Sequence, residues 1–179
     1  APAAAFYSAS HFQVRGTHSR TFFKSLTCGL FHRQYAQLLR KLELIDCPDF
    51  IEPLCTLFKD QLVELVISDK RALHLLVLAQ TPLRFGKQLR RVKLMLQIQA
   101  AAQYDNISQR FMLQQLGTIF DPTSLTHLRI SDTHTNIFLS PHIISDVARA
   151  IEPFKHQLQE FCLQNIKVAS WEHFIEQMN

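Results

Sequence analysis

The chain has 179 residues, 47% hydrophobic and 19% charged, with a formal net charge of +4. That balance can bury a core and suits one globular domain with some appended structure, while Arg, Lys, Gln or His interrupts every apolar run short of the about 18 residues a membrane span needs. Cys28, Cys47, Cys55 and Cys162 lie far apart with no C-x-x-C pair, a distribution that fits reduced thiols in the cytoplasm better than a disulfide framework.

Charge falls in blocks. Residues 1–42 carry bases and no acid, residues 43–69 are strongly acidic, residues 70–104 hold seven bases and no acid, and the remainder is mildly acidic. Residues 1–21 read as a basic arm, with an Arg-rich transit segment at the start of the chain as the alternative. No internal repeat or low-complexity tract is evident, and only Gly16, Gly29, Gly86 and Gly117 punctuate the chain.

Phe31, Tyr35, Leu38, Leu39 and Leu42 recur at helical spacing and predict a helix over 22–44, followed by a second from Asp49 to Phe58. The period then changes to two. Residues 62–67 and 72–79 read as two antiparallel strands of a hairpin around the polar turn Ser68-Asp69-Lys70-Arg71, with His74 a sheet-face or core histidine. Thr81-Pro82 has the form of a helix start. At 100° per residue Phe85, Leu89, Val92 and Leu96 form one stripe, while Arg84, Lys87 and Arg91 gather opposite it. A short helix near 109–116 and a third strand at Leu125–Ile130 follow. After Ser140-Pro141, two helical stripes are expected: Ile144, Val147, Ala148 and Ile151, then Phe154, Leu158, Phe161, Cys162 and Ile166. Ser170 would cap a last turn containing Trp171, Phe174 and Ile175.

The basic block is the strongest functional signal. Lys70, Arg71, Arg84, Lys87, Arg90, Arg91 and Lys93 without an interspersed carboxylate suggest a polyanion-binding surface, since cations that neutralise phosphates release condensed counterions whatever the base sequence. An ordinary exposed helix mixes Glu with Lys for i,i+4 support.

The order helix, hairpin, basic helix, strand, carried by 61–91 and by Leu83-Arg84 near the start of the basic helix, resembles the KH-like core of the DciA family, bacterial proteins that operate on the replicative helicase DnaB. The likeness covers about 22–131, and Leu139-Ser140-Pro141 resembles the start of that family's short C-terminal region. It implies an α+β fold: a KH-like domain over 22–132 with a small antiparallel three-stranded sheet covered by helices, then a helical segment over 133–179. It further implies a cytoplasmic, non-enzymatic DNA-binding factor that recruits or loads DnaB. No G-x-x-G loop is present for clamping nucleotides, and no P-loop for ATP. Ile144, Val147, Ile151, Phe154, Leu158 and Phe161 would meet the protein partner or pack on the core. The alternative is a protein-interaction adaptor or chaperone-like module whose basic helix binds an acidic protein.

Catalytic chemistry finds little support. The histidines include no H-E-x-x-H and no zinc-finger spacing, Ser131-Asp132-Thr133-His134 reads as a turn, and Asp46, Asp49, Glu52, Asp60 and Glu64 read as a solvated acidic face rather than a metal nuclease. No cofactor, metal, membrane or small-molecule substrate is expected.

Overall fold

The computed structural model describes residues 4–8, 10–16, 36–69, 71–80, 82–96, 113–132, 137–139, 141–168 and 171–178. Strands appear at β1 (Ala4–Ser8), β2 (His11–Arg15), β3 (Lys41–Ile45), β4 (Glu64–Ser68), β5 (Arg91–Leu96), β6 (His127–Asp132), β7 (Ile137–Leu139), β8 (Glu160–Gln164) and β9 (Ile166–Val168). Between them lie helices α1 (Pro48–Phe58), α2 (Ala72–Val77), α3 (Leu116–Ile119), α4 (Pro141–Ile151) and α5 (Trp171–Met178).

Seven strands form one sheet in the order β1-β2-β3-β4-β5-β6-β8; β1 runs antiparallel to β2, and β2 to β8 are parallel throughout. A separate pair joins β7 to β9. The sheet corrects the expected small antiparallel three-stranded KH-like sheet: this is an α/β fold. Spatial neighbours in the large sheet follow chain order, so each turn of chain lies on the one before, which is solenoid architecture.

The repeat invisible to a search for identical residues is a spacing. Leu39-x-x-Leu42-x-Leu44, Leu62-x-x-Leu65-x-Ile67, Leu89-x-x-Val92-x-Leu94, Leu125-x-x-Leu128-x-Ile130 and Leu158-x-x-Phe161-x-Leu163 share the L-x-x-L-x-L pattern of leucine-rich solenoids. The last two apolar positions of each lie on a strand. Their register stacks Phe12, Leu42, Leu65, Val92, Leu128 and Phe161 into one inward row and Val14, Leu44, Ile67, Leu94, Ile130 and Leu163 into another. All of these are buried except Phe161 and Leu163, which pack against the core while partly exposed.

A second repeat lies in the backbone. The carbonyl of the residue just before each strand accepts two N–H groups, from the residue before the next strand and from that strand's first residue: Ser10 from Arg40 and Lys41 (both 2.9 Å), Arg40 from Val63 and Glu64 (2.7 and 2.9 Å) and Val63 from Arg90 and Arg91 (2.9 and 3.0 Å). Arg90 then accepts from Thr126 and His127 (2.9 and 3.0 Å) and Thr126 from Gln159 and Glu160 (2.8 and 3.1 Å). Five turns thus enter the sheet through the same joint. On the exit side, Gly16, Asp46 and Asn165 adopt positive φ of 86°, 51° and 63°, the left-handed geometry that Gly, Asp and Asn tolerate best.

Several expected elements change type. Residues 41–45 are strand rather than the end of a helix, whereas 22–35 lie outside the described residues. The expected second hairpin strand, 72–79, is helix α2, on which His74 is exposed rather than set in a sheet. The expected basic helix is an irregular loop over 82–90 followed by β5. The helix expected from Phe154 contains β8 instead. Strand β4, helices α1, α4 and α5, and β6 fall where the sequence predicts them, and the helix expected near 109–116 is met only at Leu116, where α3 begins, with 109–112 outside the described residues. Helix α1 begins with Pro48 in its first turn and Asp49 close by, an acid placed well for the helix dipole; the N-cap residue is Cys47, without a side-chain cap bond. The boundaries drawn at 21/22 and 132/133 fall between strands of one sheet, since β2 pairs with β3 and β6 with β8.

Helices α1 and α2 pack together, α2 packs on β5, and α5 packs on α4. Phe174 of α5 stacks on Phe161 of β8 with ring centroids 5.9 Å apart, covering the last inward row. Gly86 passes close to the chain after α1. Its N–H donates to the Lys59 carbonyl (2.9 Å), and a Cβ there would lie 3.1 Å from the Asp60 Cα.

Candidate functional site

Strand alternation aims every second side chain away from the core, and parallel register stacks these into three outward rows. The first is His11, Lys41, Glu64, Arg91, His127 and Glu160; the second Gln13, Glu43, Val66, Lys93, Arg129 and Cys162; the third Arg15, Ile45, Ser68, Met95, Ser131 and Gln164. Charge of both signs is distributed along this face, with β5 and β6 both cationic between Glu64 on β4 and Glu160 on β8. Half-buried Ile45, Val66 and Met95 form an apolar island within it, where the Ser68 hydroxyl donates to the Met95 sulfur (3.2 Å).

Two charge clusters differ in character. On β3 and β4, Lys41 Nζ sits 2.7 Å from Glu43 Oε1 and 3.3 Å from Glu64 Oε1, His11 Nε2 lies 3.5 Å from Glu43 Oε2, and Gln13 Nε2 donates to the same carboxylate. The hydrogen bond to Glu43, outweighing burial, raises the Lys41 pKa above the usual lysine value, with Glu64 adding to it. Burial pushes the Glu43 carboxyl up, but the bond and charge of Lys41, with Gln13 and His11, hold it below its ordinary value. In this half each carboxylate faces a cation.

On β5 and β6 the cations outnumber their partners. Arg129 Nη2 donates to Glu160 Oε1 (3.2 Å), a contact between groups 40% and 52% exposed, whereas Arg91 and Lys93 have no ion-pair partner among the described residues. His127 Nδ1 is 2.8 Å from the Thr126 hydroxyl. Arg91, Lys93, His127 and Arg129 therefore form a square on adjacent strands about 4.8 Å apart. They line a shallow depression of about 410 Å³, flanked by Glu64 on one side and Glu160 on the other.

The seven bases expected to make one ridge are dispersed. Lys70 lies outside the described residues. Arg71 begins α2, where its N–H donates to Asp69 Oδ1 (2.8 Å) and its side chain approaches the same carboxylate (3.8 Å). Exposed Arg84 and Lys87 sit in the 82–90 loop, Arg84 beside a second depression of about 250 Å³ lined also by Phe85 and 117–122. Arg90 donates to the Ser124 carbonyl (2.9 Å), tying that loop to the entry of β6. Only Arg91 and Lys93 reach the open strand face. Phe85, of the expected apolar stripe, is buried against Phe120, with centroids 5.3 Å apart.

Of the residues proposed to meet a protein partner, Val147, Ile151 and Phe154 are fully buried and Leu158 and Phe161 pack against the core, so these stripes hold the fold together; the Ile144 side chain lies outside the described residues. His127, Arg129, Glu160 and the Ile45, Val66 and Met95 island were not singled out from sequence. The signal for them is present: each occupies a variable position within or just after an L-x-x-L-x-L unit, where strand geometry turns the side chain outward.

Among the described residues no group of His, Cys, Asp and Glu is placed to hold a metal ion, and no helix is long and apolar enough to cross a membrane. Cys47, Cys55 and Cys162 are free thiols; burial pushes the Cys47 pKa up to about 12 and raises that of Cys55, leaving both poor nucleophiles. Compared with protein-family models, curated proteins and solved structures, the chain matches none.

Proposed function

We propose that the chain is a non-enzymatic docking module that takes a segment of a protein partner across its open strand face. The observation that carries the reading is the outward surface of β3 to β8, where an apolar island adjoins Arg91, Lys93 and Arg129, cations in excess of their carboxylates. Half-buried apolar side chains beside under-neutralised charge suit an interface core and its rim. Extended rigid surfaces of this kind are the usual working surface of solenoids.

This reading adopts the adaptor alternative, with strand β5 in place of a basic helix. The binding of DNA and recruitment of DnaB leaned on a KH-like core that the parallel sheet replaces. A continuous phosphate track would also meet Glu43, Glu64 and Glu160 on the same face, which repel it.

The test places a photo-crosslinking residue at Val66 on the strand face and, separately, at Leu78, 57% exposed at the C-terminal end of α2. Protease-sensitive adducts at Val66, absent at Leu78 and lost with Arg91→Glu/Lys93→Glu, are expected. Nuclease-sensitive adducts would favour the DNA reading, and equal labelling at both positions would overturn a dedicated strand face.

A further inference from the structure

Resting on the docking reading, the charge order of the strand face specifies the chemistry of its partner. Strand by strand, the outward side chains are net negative on β4 (Glu64), positive on β5 (Arg91, Lys93) and β6 (Arg129), and negative on β8 (Glu160). The sign therefore changes twice over three strand intervals, a span of about 14 Å at about 4.8 Å per interval. A uniformly acidic or phosphorylated chain matches the centre and is repelled at both margins.

We infer that the face accepts an amphipathic α-helix lying across the strands, with two acidic residues over β5 and β6 and a basic residue at each end. The repeat distances select a helix. At about 1.5 Å per residue, positions i, i+3, i+7 and i+10 lie about 0, 4.5, 10.5 and 15 Å along one face, in step with strands at about 0, 4.8, 9.6 and 14.4 Å. An extended segment puts same-face side chains about 6.8 Å apart and falls out of step by the second strand. The charge order i basic, i+3 acidic, i+7 acidic, i+10 basic then meets Glu64, the Arg91/Lys93 pair, Arg129 and Glu160 in turn. Apolar positions beside this stripe would meet Val66 and Met95. Arg129 can exchange its Glu160 contact for the partner's acid at little cost, because an ion pair this exposed contributes little.

Two Ala-rich helical peptides of identical composition test this: one with Lys-Glu-Glu-Lys at i, i+3, i+7 and i+10, the other with Glu-Lys-Lys-Glu at those positions, each with two Leu residues beside the charged stripe. Both have zero net charge from these residues, so bulk attraction cancels. Fluorescence anisotropy at low salt should show the first binding about ten-fold tighter, as complementary against like-charge contacts require. Arg91→Glu/Lys93→Glu, which changes only outward side chains, should erase or invert the preference. Oligoglutamate and a duplex oligonucleotide should bind more weakly than the matched peptide. Equal affinity for both peptides, lost with a bulky charge at Val66, overturns the charge-order inference and leaves the docking face standing. Stronger binding of either polyanion overturns it in favour of a plain cationic site. No binding of any probe overturns the inference and counts against the docking reading as well.

Discussion

The two faces of one sheet are governed by opposite rules. Inward, each position repeats: Leu42, Leu65, Val92 and Leu128 are interchangeable in chemistry because every turn meets the same environment, the turn before and the turn after. Outward, Lys41, Glu64, Arg91 and His127 occupy equally equivalent backbone positions and have no common charge. Repetition marks what the fold demands, and departure from it marks surface free to be shaped for a partner.

The sharpest way to break this comparison is to treat the faces alike. Leu65→Ala and Leu94→Ala remove fully buried side chains from the stacked rows and should each destabilise the protein by about 2–5 kcal/mol in denaturant unfolding. Gly86→Ala should follow. Its new Cβ meets backbone rather than a movable side chain, and we expect about 1–3 kcal/mol of destabilisation in the same experiment. On the outward face, Arg91→Glu/Lys93→Glu should change stability by no more than about 0.5 kcal/mol while abolishing partner capture. A loss of stability comparable to that of Leu65→Ala would show that the two faces are not separable.

Smaller effects sharpen the contrast between the half whose carboxylates face cations and the half with cations in excess. Because the folded Glu43 carboxyl is held below its ordinary value, its contribution is present above the unfolded carboxylate pKa and lost as pH falls through the folded one. Because Lys41 is raised, its contribution is complete below the unfolded lysine pKa and disappears as pH rises through the folded one. Glu43→Gln should therefore flatten the acid limb of a stability-against-pH profile and Lys41→Met the alkaline limb. Neither change should appear in Arg91→Met, whose side chain has no ion-pair partner among the described residues.

The sequence made α1, β4, β6, α4 and α5 readable because each carries one period and clear punctuation. It concealed the solenoid because L-x-x-L-x-L contains two periods. Leu89 and Val92, three apart, satisfy a helical wheel, and adding Phe85 and Leu96 completes a stripe. Val92 and Leu94, two apart, satisfy a strand. The deciding residue is Leu94, which a helix would turn nearly opposite to Val92 but which is fully buried beside Ile67 and Ile130. The same ambiguity at Leu158, Phe161 and Leu163 turned a strand into an expected helix. Alignment of the five units by spacing rather than identity would have exposed both. Arg91 and Lys93 were legible as candidate site residues through their charge alone. Arg129 and His127, about 36 positions further along the chain, join them only through the register of β5 with β6, which no local pattern encodes.

The neighbouring register of the same face, β6 with β8, can be measured with one substitution. Arg129 and Cys162 are Cα partners on adjacent parallel strands, and Cys162 is the described thiol left partly accessible. Arg129→Cys should therefore be joined to Cys162 by a short thiol-bridging reagent in the folded protein, and a Leu78→Cys control should not. Efficient bridging in Arg129→Cys alone is the predicted result. No bridge there, with Cys162 still open to alkylation, would contradict the stacked-strand face on which the proposed docking depends.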